Sequence, residues 1–110
     1  MRKYTAEDGL RLLDYLEITG LRPRERREFR LQWDEQYKEC ESDPLQATFM
    51  LYTYVLPVNC QDNPRITLRL NTFRMIEFMF KAEEKNVGFL AKQGFTLDDI
   101  LDEDANEIVN

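Results

Sequence analysis

The sequence predicts an all-α fold, a compact bundle of four to six helices within a single domain covering residues 1–110. Apolar residues recur at intervals of three and four over most of the chain. Two Asx-Pro pairs, Asp43-Pro44 and Asn63-Pro64, are typical of helix starts. A chain of 110 residues that is 43% hydrophobic can bury a core of its own. Together these observations predict one helical domain.

The first helix is predicted over residues 6–18. Thr5 is the expected N-cap, because Asp8 follows three residues later and completes a capping box. Gly20 stands where a C′ glycine is expected, so that Leu21 would fold back on Leu16. The apolar stripe consists of Ala6, Leu10, Leu13 and Leu16.

The second helix is predicted to begin at Pro23, a residue suited to a first turn, and to end near Glu41. Its apolar stripe consists of Phe29, Trp33, Tyr37 and Cys40. The third helix is predicted to begin after Asp43, with Gln46 completing the cap pattern. It is almost wholly apolar over residues 47–56, and Pro57 is expected to stop it.

The fourth helix is predicted over residues 64–85. Apolar residues on most of its sides predict a central position in the bundle. The main stripe is Ile66, Leu70, Phe73, Ile76 and Phe80, with Leu68, Met75 and Met79 on a neighbouring face.

An alternative prediction for the middle of the chain is an α+β fold with a hairpin over residues 48–58 and 65–71, packed on helices. Residues 65–71 alternate strictly between polar and apolar, and residues 48–58 are rich in aromatic and β-branched types. Short apolar runs do not distinguish a strand from a buried helix by periodicity alone. The all-helical prediction is preferred because helical spacing follows both Asx-Pro pairs.

Residues 96–110 form an acidic C-terminal segment that is predicted to be helical through Ile108, with Thr96 as its cap and Asp99 at N3. The segment holds six acids and no base, whereas 15 acids and 15 bases balance over residues 1–95. Its apolar residues can dock on the body of the protein or on a basic partner. The candidate partner-binding residues are Asp98, Asp99, Asp102, Glu103 and Asp104, beside the apolar Phe95, Leu97, Ile100, Leu101 and Ile108.

A cluster of arginines suggests an alternative function, a nucleic-acid-binding regulator. The cluster opens the second helix as in a helix-turn-helix and consists of Arg22, Arg24, Arg26, Arg27 and Arg30. Glu25, Glu28 and Asp34 balance most of this charge, and the net charge of the chain is -6. Binding to nucleic acid is therefore not expected, because non-specific affinity depends on unbalanced Lys and Arg.

The residue types exclude most catalytic chemistry. The chain has no His and two Cys, Cys40 and Cys60, which we expect to be reduced and buried. Four-ligand zinc sites and His-activated nucleophiles cannot be built from this set, and no glycine-rich phosphate loop occurs. The pairs Glu35/Glu39 and Asp98/Asp102 keep a small carboxylate-dependent enzyme as a second alternative. We expect no catalytic activity, cofactor or metal.

The sequence therefore favours a small non-catalytic protein-protein interaction module. An adaptor, assembly factor or inhibitor of viral or bacterial accessory type fits its size and acidity. The surplus of apolar residues over 44–85 predicts an uncovered patch, and hence a protein partner or a homo-oligomer. The chain has no run of 18 apolar residues, so we expect no membrane segment and a cytoplasmic location.

Overall fold

The computed structural model describes residues 3–61, 63–85 and 87. A π-helical turn, Leu51–Val55, joins the third and fourth α-helices into one continuous rod. The described residues thus form four helical rods without a strand, which confirms the all-α prediction and excludes the hairpin alternative. The predicted helix over residues 96–108 lies outside the described residues. The α-helices are α1 (Ala6–Tyr15), α2 (Pro23–Glu39), α3 (Pro44–Met50), α4 (Leu56–Cys60) and α5 (Pro64–Glu84).

The predicted helix starts are confirmed by their hydrogen bonds. The backbone N–H of Thr5 donates to Asp8 Oδ2 at 2.9 Å, and the N–H of Asp8 donates to Thr5 Oγ1 at 3.4 Å. The Asp43 and Asn63 side chains each accept a bond of 3.0 Å from the backbone N–H two residues later. These caps satisfy donors that a helix start otherwise leaves without partners.

The end of α1 differs from the prediction. The helix ends at Tyr15, and Glu17 adopts the left-handed conformation (φ 62°) that was expected of Gly20. The N–H of Ile18 then donates to the carbonyl of Leu13 at 2.9 Å, which completes a Schellman motif. Ile18 is buried, whereas Gly20 is exposed. Burial of an apolar residue just after the cap thus decides where the helix ends, and outweighs the preference of glycine for this conformation.

The prediction that Pro57 stops the third helix is wrong. The chain passes through Pro57 into α4 because the preceding turn widens to the π form, in which the N–H of Leu56 donates to Leu51. Proline normally disrupts an α-helix because it lacks the N–H and its ring meets the carbonyl four residues earlier. The wider π turn shifts the hydrogen-bond register and accommodates the ring.

The core lies among α1, α2 and the continuous rod of α3, the π turn and α4. The rings of Phe29, Trp33 and Tyr37 on α2 are stacked, with centroid distances of 5.5 and 5.6 Å between neighbours. The indole N–H of Trp33 donates to the carbonyl of Tyr4 at 3.1 Å, so no buried donor is left unpaired there. The α2 stripe is thus confirmed as core, except that Cys40 is only half-buried.

The prediction that the 64–85 helix is central is wrong. α5 lies on the outside of the bundle, where it packs mainly against the π turn and α4. Only Arg74, Phe78 and Ala82 on α5 are buried. Periodicity places apolar residues on most sides of this helix, but it does not show which side meets the other helices. The side of α5 that meets the other helices contains Arg74, whose ion-pair partner Glu25 lies on α2.

Candidate functional site

α5 is held to the body by a narrow strip of side chains one helical turn apart. Phe78 lies edge-on to Phe49, with ring centroids 5.3 Å apart, and is fully buried. Arg74 precedes it by one turn, and Ala82 follows by one turn. At the end of α5 the N–H of Val87 donates to the Ala82 carbonyl at 3.1 Å, and Val87 is buried as well.

Arg74 forms a buried ion pair with Glu25 of α2. Arg74 Nη2 lies 2.6 Å from Glu25 Oε2, and both side chains are almost completely enclosed. Arg22 Nε contacts the other carboxylate oxygen at 3.1 Å. Burial alone would raise the pKa of Glu25, but the hydrogen bond and charge of Arg74, with help from Arg22, hold the pKa below its ordinary value. Glu25 is therefore charged at neutral pH.

Arg74 also compensates for the missing N–H of Pro57. In the π register the carbonyl of Tyr52 would accept from residue 57, which is a proline and has no N–H. Arg74 Nη1 donates to that carbonyl at 3.3 Å, and the guanidinium lies 4.7 Å from the centre of the Tyr52 ring. The hydroxyl of the same tyrosine donates to Glu77 of α5. Burial, the larger cause, and the neighbouring Glu77 carboxylate both raise the pKa of Tyr52. The strip therefore completes the hydrogen bonding of the π turn.

The opposite side of α5 presents an apolar seam to solvent. We define the seam as Ile66, Arg69, Phe73, Ile76 and Phe80, which follow one another at steps of three and four. Its apolar members are 52, 64, 53 and 71% exposed in chain order. Alternating steps of three and four are the spacing with which one helix packs along another. Four of the five residues of the predicted stripe thus face outward, whereas the fifth, Leu70, is half-buried.

A groove beside the seam extends the apolar surface. It lies between α4 and the first half of α5, has a volume of about 420 Å³ and is lined in part by Tyr54, Val58 and Leu68. Among the described residues, eight of the nine exposed large hydrophobic side chains lie on α5 or on the neighbouring π turn and α4. The exception is Leu31 on α2. Such clustering is typical of an interaction surface, whereas single exposed apolar residues are common everywhere.

The first half of α5 is also positively charged. Residues 64–76 contain Arg65, Arg69 and Arg74 and no acid, and residues 51–60 carry no charge. Arg74 is neutralised by Glu25, whereas Arg65 and Arg69 are exposed. Neither of these two arginines forms an ion pair with another residue in the described ranges 3–61, 63–85 and 87. The apolar seam is therefore accompanied by two cations without a described counter-ion.

Two of the five arginines in the α2 cluster form ion pairs with other described residues. Arg22 contacts Glu25, and Arg30 contacts Glu7 of α1. Arg24 and Arg27 are exposed, and Arg26 is half-buried. Seven residues, 16–22, separate α1 from α2, whereas the turn of a helix-turn-helix has about three or four. The seven-residue spacing argues against a helix-turn-helix, and the two ion pairs neutralise Arg22 and Arg30.

The remaining candidate residues are more simply placed. Asp98, Asp99, Asp102, Glu103 and Asp104 lie outside the described residues. Glu35 and Glu39 are exposed on α2, and within the described part no three His, Cys, Asp or Glu side chains are arranged to hold a metal. Cys40 and Cys60 are both free thiols, and burial raises the pKa of Cys60. No helix among the described residues is long and apolar enough to span a membrane.

Comparisons with protein-family models, with curated proteins and with solved structures find no match to this chain.

Proposed function

We propose that this protein is a non-catalytic interaction module that binds an acidic amphipathic helix of another protein along the α5 seam. The observation that carries the proposal is the apolar seam on the solvent side of α5. It presents four large apolar side chains at helix-packing intervals, although α5 already has a second strip that attaches it to the body. A helix that served only the fold would have a polar outer face.

The chemistry of the seam specifies its partner. Steps of three and four suit the apolar stripe of a second helix, whereas a strand would need an exposed sheet edge. Arg69 lies among the apolar residues of the seam, and Arg65 lies one helical turn before Arg69. An arginine in a desolvated helix contact needs a carboxylate opposite it, since an unpaired buried charge is costly. The expected partner is therefore a helix with an apolar stripe and acidic flanks.

The apolar part of the seam is large enough to contribute to affinity. Covering one large apolar side chain stabilises a complex by about 1.5–3 kcal/mol at full burial. Four partly exposed side chains in one row thus contribute several kcal/mol, which must exceed the entropic cost of association. The charged residues would then select an acidic partner and increase its rate of association.

A titration with a designed peptide tests the proposal. The probe is a fluorescent amphipathic peptide with leucines at a and d positions and glutamates elsewhere, and its anisotropy is measured with the full chain. We expect Phe73→Asp to weaken binding by about tenfold or more, because it places a charge in the seam. Leu31→Asp is the matched control, because Leu31 is exposed on α2, away from the seam. A lysine version of the peptide should bind less tightly than the glutamate version.

Two outcomes would contradict this function. Equal affinity for wild type, Phe73→Asp and Leu31→Asp would show that the seam is not the binding surface. The sequence also predicts a homo-oligomer, which light scattering over a dilution series would detect. If Phe73→Asp dissociates such an oligomer, the seam binds a second copy of this chain instead of another protein.

A further inference from the structure

We propose that the partner helix of the seam carries segregated charges, acidic in its first half and basic at its end, and that these charges orient it parallel to α5. This inference rests on the proposed function, since it concerns the partner of the same surface. The seam would thus select its partner by the direction of the partner's charge pattern as well as by its apolar stripe.

α5 has a basic start and an acidic end. The basic start consists of Arg65 and Arg69, and the acidic end consists of Glu83 and Glu84, three and four residues after the last apolar member of the seam. All four side chains are exposed. No ion pair joins any of them to another residue within the ranges that the structure describes. The two ends of α5 therefore present opposite charges to solvent.

The two lysines near the acidic end form ion pairs with a different carboxylate. Lys85 Nζ lies 3.1 Å from Glu17 Oε1, and Lys81 Nζ lies 3.9 Å from Glu17 Oε2. Glu17 follows α1, so these contacts attach the lysines to the body of the protein. The carboxylates of the acidic end are left exposed for a group of another molecule.

Both charged ends lie on the seam side of α5. An α-helix completes about five turns in 18 residues, so two residues that far apart lie in line on its surface. Arg65 and Glu83 are separated by this interval, and so are Ile66, the first member of the seam, and Glu84. A helix that packs along the whole seam therefore passes the basic start and the acidic end, which are about 27 Å apart.

These charges oppose the dipole of the helix that carries them. The first turn of α5 contains Arg65 and no acid, and its last turn contains Glu83 and Glu84. A helix dipole favours the reverse, acids in the first turn and bases in the last. The arrangement is therefore unfavourable for α5 alone, and opposite charges on a helix beside it would offset the cost.

The same dipole preference determines the direction of the partner. A partner helix is itself most stable with acids in its first turns and bases in its last turns. Parallel to α5, such a helix places its acids beside the basic start and its bases beside the acidic end. In the antiparallel direction it brings like charges together at both ends, which is unfavourable. A stable partner helix therefore packs parallel to α5.

Two designed peptides of identical composition test the charge pattern with the full chain. Both are fluorescent amphipathic peptides of about 20 residues, with leucines at a and d positions. The segregated peptide has glutamates in its first half and lysines in its second half, whereas glutamate and lysine alternate in the mixed peptide. Anisotropy should show that the segregated peptide binds about fivefold or more tightly, and this difference should shrink at high salt.

A charge exchange within α5 tests the direction. The exchanged variant, Arg65→Glu/Arg69→Glu/Glu83→Arg/Glu84→Arg, keeps the net charge and alters only exposed residues. A nitroxide spin label at the N-terminus of the segregated peptide should broaden the NMR amide signals of residues 64–69 in wild type. In the exchanged variant it should instead broaden those of residues 80–84, because the peptide turns round.

A matched control makes the same exchange on α2. Arg24→Glu/Arg27→Glu/Glu35→Arg/Glu39→Arg alters four exposed residues of the same types and keeps the net charge. Because these residues do not lie on α5, the control should keep both the wild-type affinity for the segregated peptide and the wild-type direction.

The outcomes separate this inference from the proposed function. Equal affinity for the two peptides, or the same direction in wild type and the exchanged variant, would overturn the inference, while weaker binding with Phe73→Asp would still support the seam as a helix-binding surface. Absence of binding, or binding that Phe73→Asp leaves unchanged, would overturn both. An oligomer of the free protein that Phe73→Asp dissociates would also overturn both, because the seam would then bind a second copy of this chain.

Discussion

Gly9 shows how a single residue sets the distance between two helices. A Cβ atom on Gly9 would lie 2.6 Å from Trp33 Cζ3 and 2.8 Å from Phe29 Cζ, closer than such atoms can approach. Because Gly9 has no side chain, α1 can approach α2 closely, and the stacked rings of α2 fill the space beside Gly9. A glycine in the middle of a helical pattern can indicate such close packing from the sequence alone.

We expect Gly9→Ala to destabilise the protein, although alanine is the better helix former by about 1 kcal/mol. The added methyl group must displace two buried aromatic rings, and such overpacking costs about 1–3 kcal/mol. Urea unfolding followed by the fluorescence of Trp33 measures the change. Gly20→Ala is the control and should be close to neutral, because no atom lies within 4 Å of its added Cβ. Equal stability of Gly9→Ala and wild type would contradict the role assigned to Gly9.

The helix ends show a regularity at the level of the elements. α2 ends at Glu39, two residues before the predicted position, and both Glu41 (φ 55°) and Ser42 (φ 63°) are left-handed. The N–H of Ser42 donates to the Tyr37 carbonyl at 2.9 Å, which is the same six-residue bond that closes α1. Neither helix uses glycine for this turn, so both turns retain a conformational cost that L-residues incur there.

Glu41→Gly should therefore stabilise the protein by about 0.5–1 kcal/mol, since glycine adopts the left-handed conformation without steric cost. Thermal unfolding followed by circular dichroism should show a Tm higher by a few degrees. Glu39→Gly provides the opposite case, because Glu39 lies within the helix, where glycine is less favourable than other residues. A lower Tm for Glu41→Gly would show that the Glu41 side chain contributes more than the relief of its backbone.

Capping residues in the sequence predicted where the helices begin, but the sequence did not predict how α5 packs on the other helices. Thr5 with Asp8, and Asn63 with Pro64, act within one helical turn, so the sequence alone identifies the helix starts. The orientation of α5 depends instead on Arg74, whose ion-pair partner Glu25 lies 49 residues away. Spacing predicted four residues of the exposed face, Ile66, Phe73, Ile76 and Phe80, but it also included Leu70, which is half-buried. The composition of residues 44–85 predicted an uncovered patch. Only the packed structure shows that this exposed face is the patch.

At the scale of the whole molecule, paired carboxylates make stability depend on pH. The hydrogen bond from Arg30 lowers the pKa of Glu7, and the hydrogen bond from Lys85 lowers the pKa of Glu17. Burial would raise the pKa of Glu25, but Arg74 lowers it by more. A carboxyl group whose pKa is lower in the folded state stabilises the fold at pH values above its ordinary pKa. That contribution is lost as pH falls through the lowered, folded-state value.

We therefore expect the free energy of unfolding to decrease as the pH is lowered from neutral to below the ordinary glutamate range. The variant Glu25→Gln with Arg74→Met should show a weaker dependence, because it removes the buried charged pair as a unit. Urea unfolding at a series of pH values measures both curves. The exposed pair Glu35→Gln with Lys38→Met is the control and should follow the wild-type curve. A parallel curve for the Glu25/Arg74 variant would show that the buried pair does not govern acid stability.

The narrow strip that holds α5 determines how the folded protein fluctuates. Because Arg74, Phe78 and Ala82 share one face, α5 cannot detach gradually: once Arg74 withdraws, Glu25 and the Tyr52 carbonyl lose a partner together. Detachment is then a cooperative sub-global opening, and the amide protons of α5 should exchange with solvent deuterium as a group. α1 and α2, which share the larger core, should exchange only with complete unfolding. The helix that presents the seam would thus be the first cooperative unit to open.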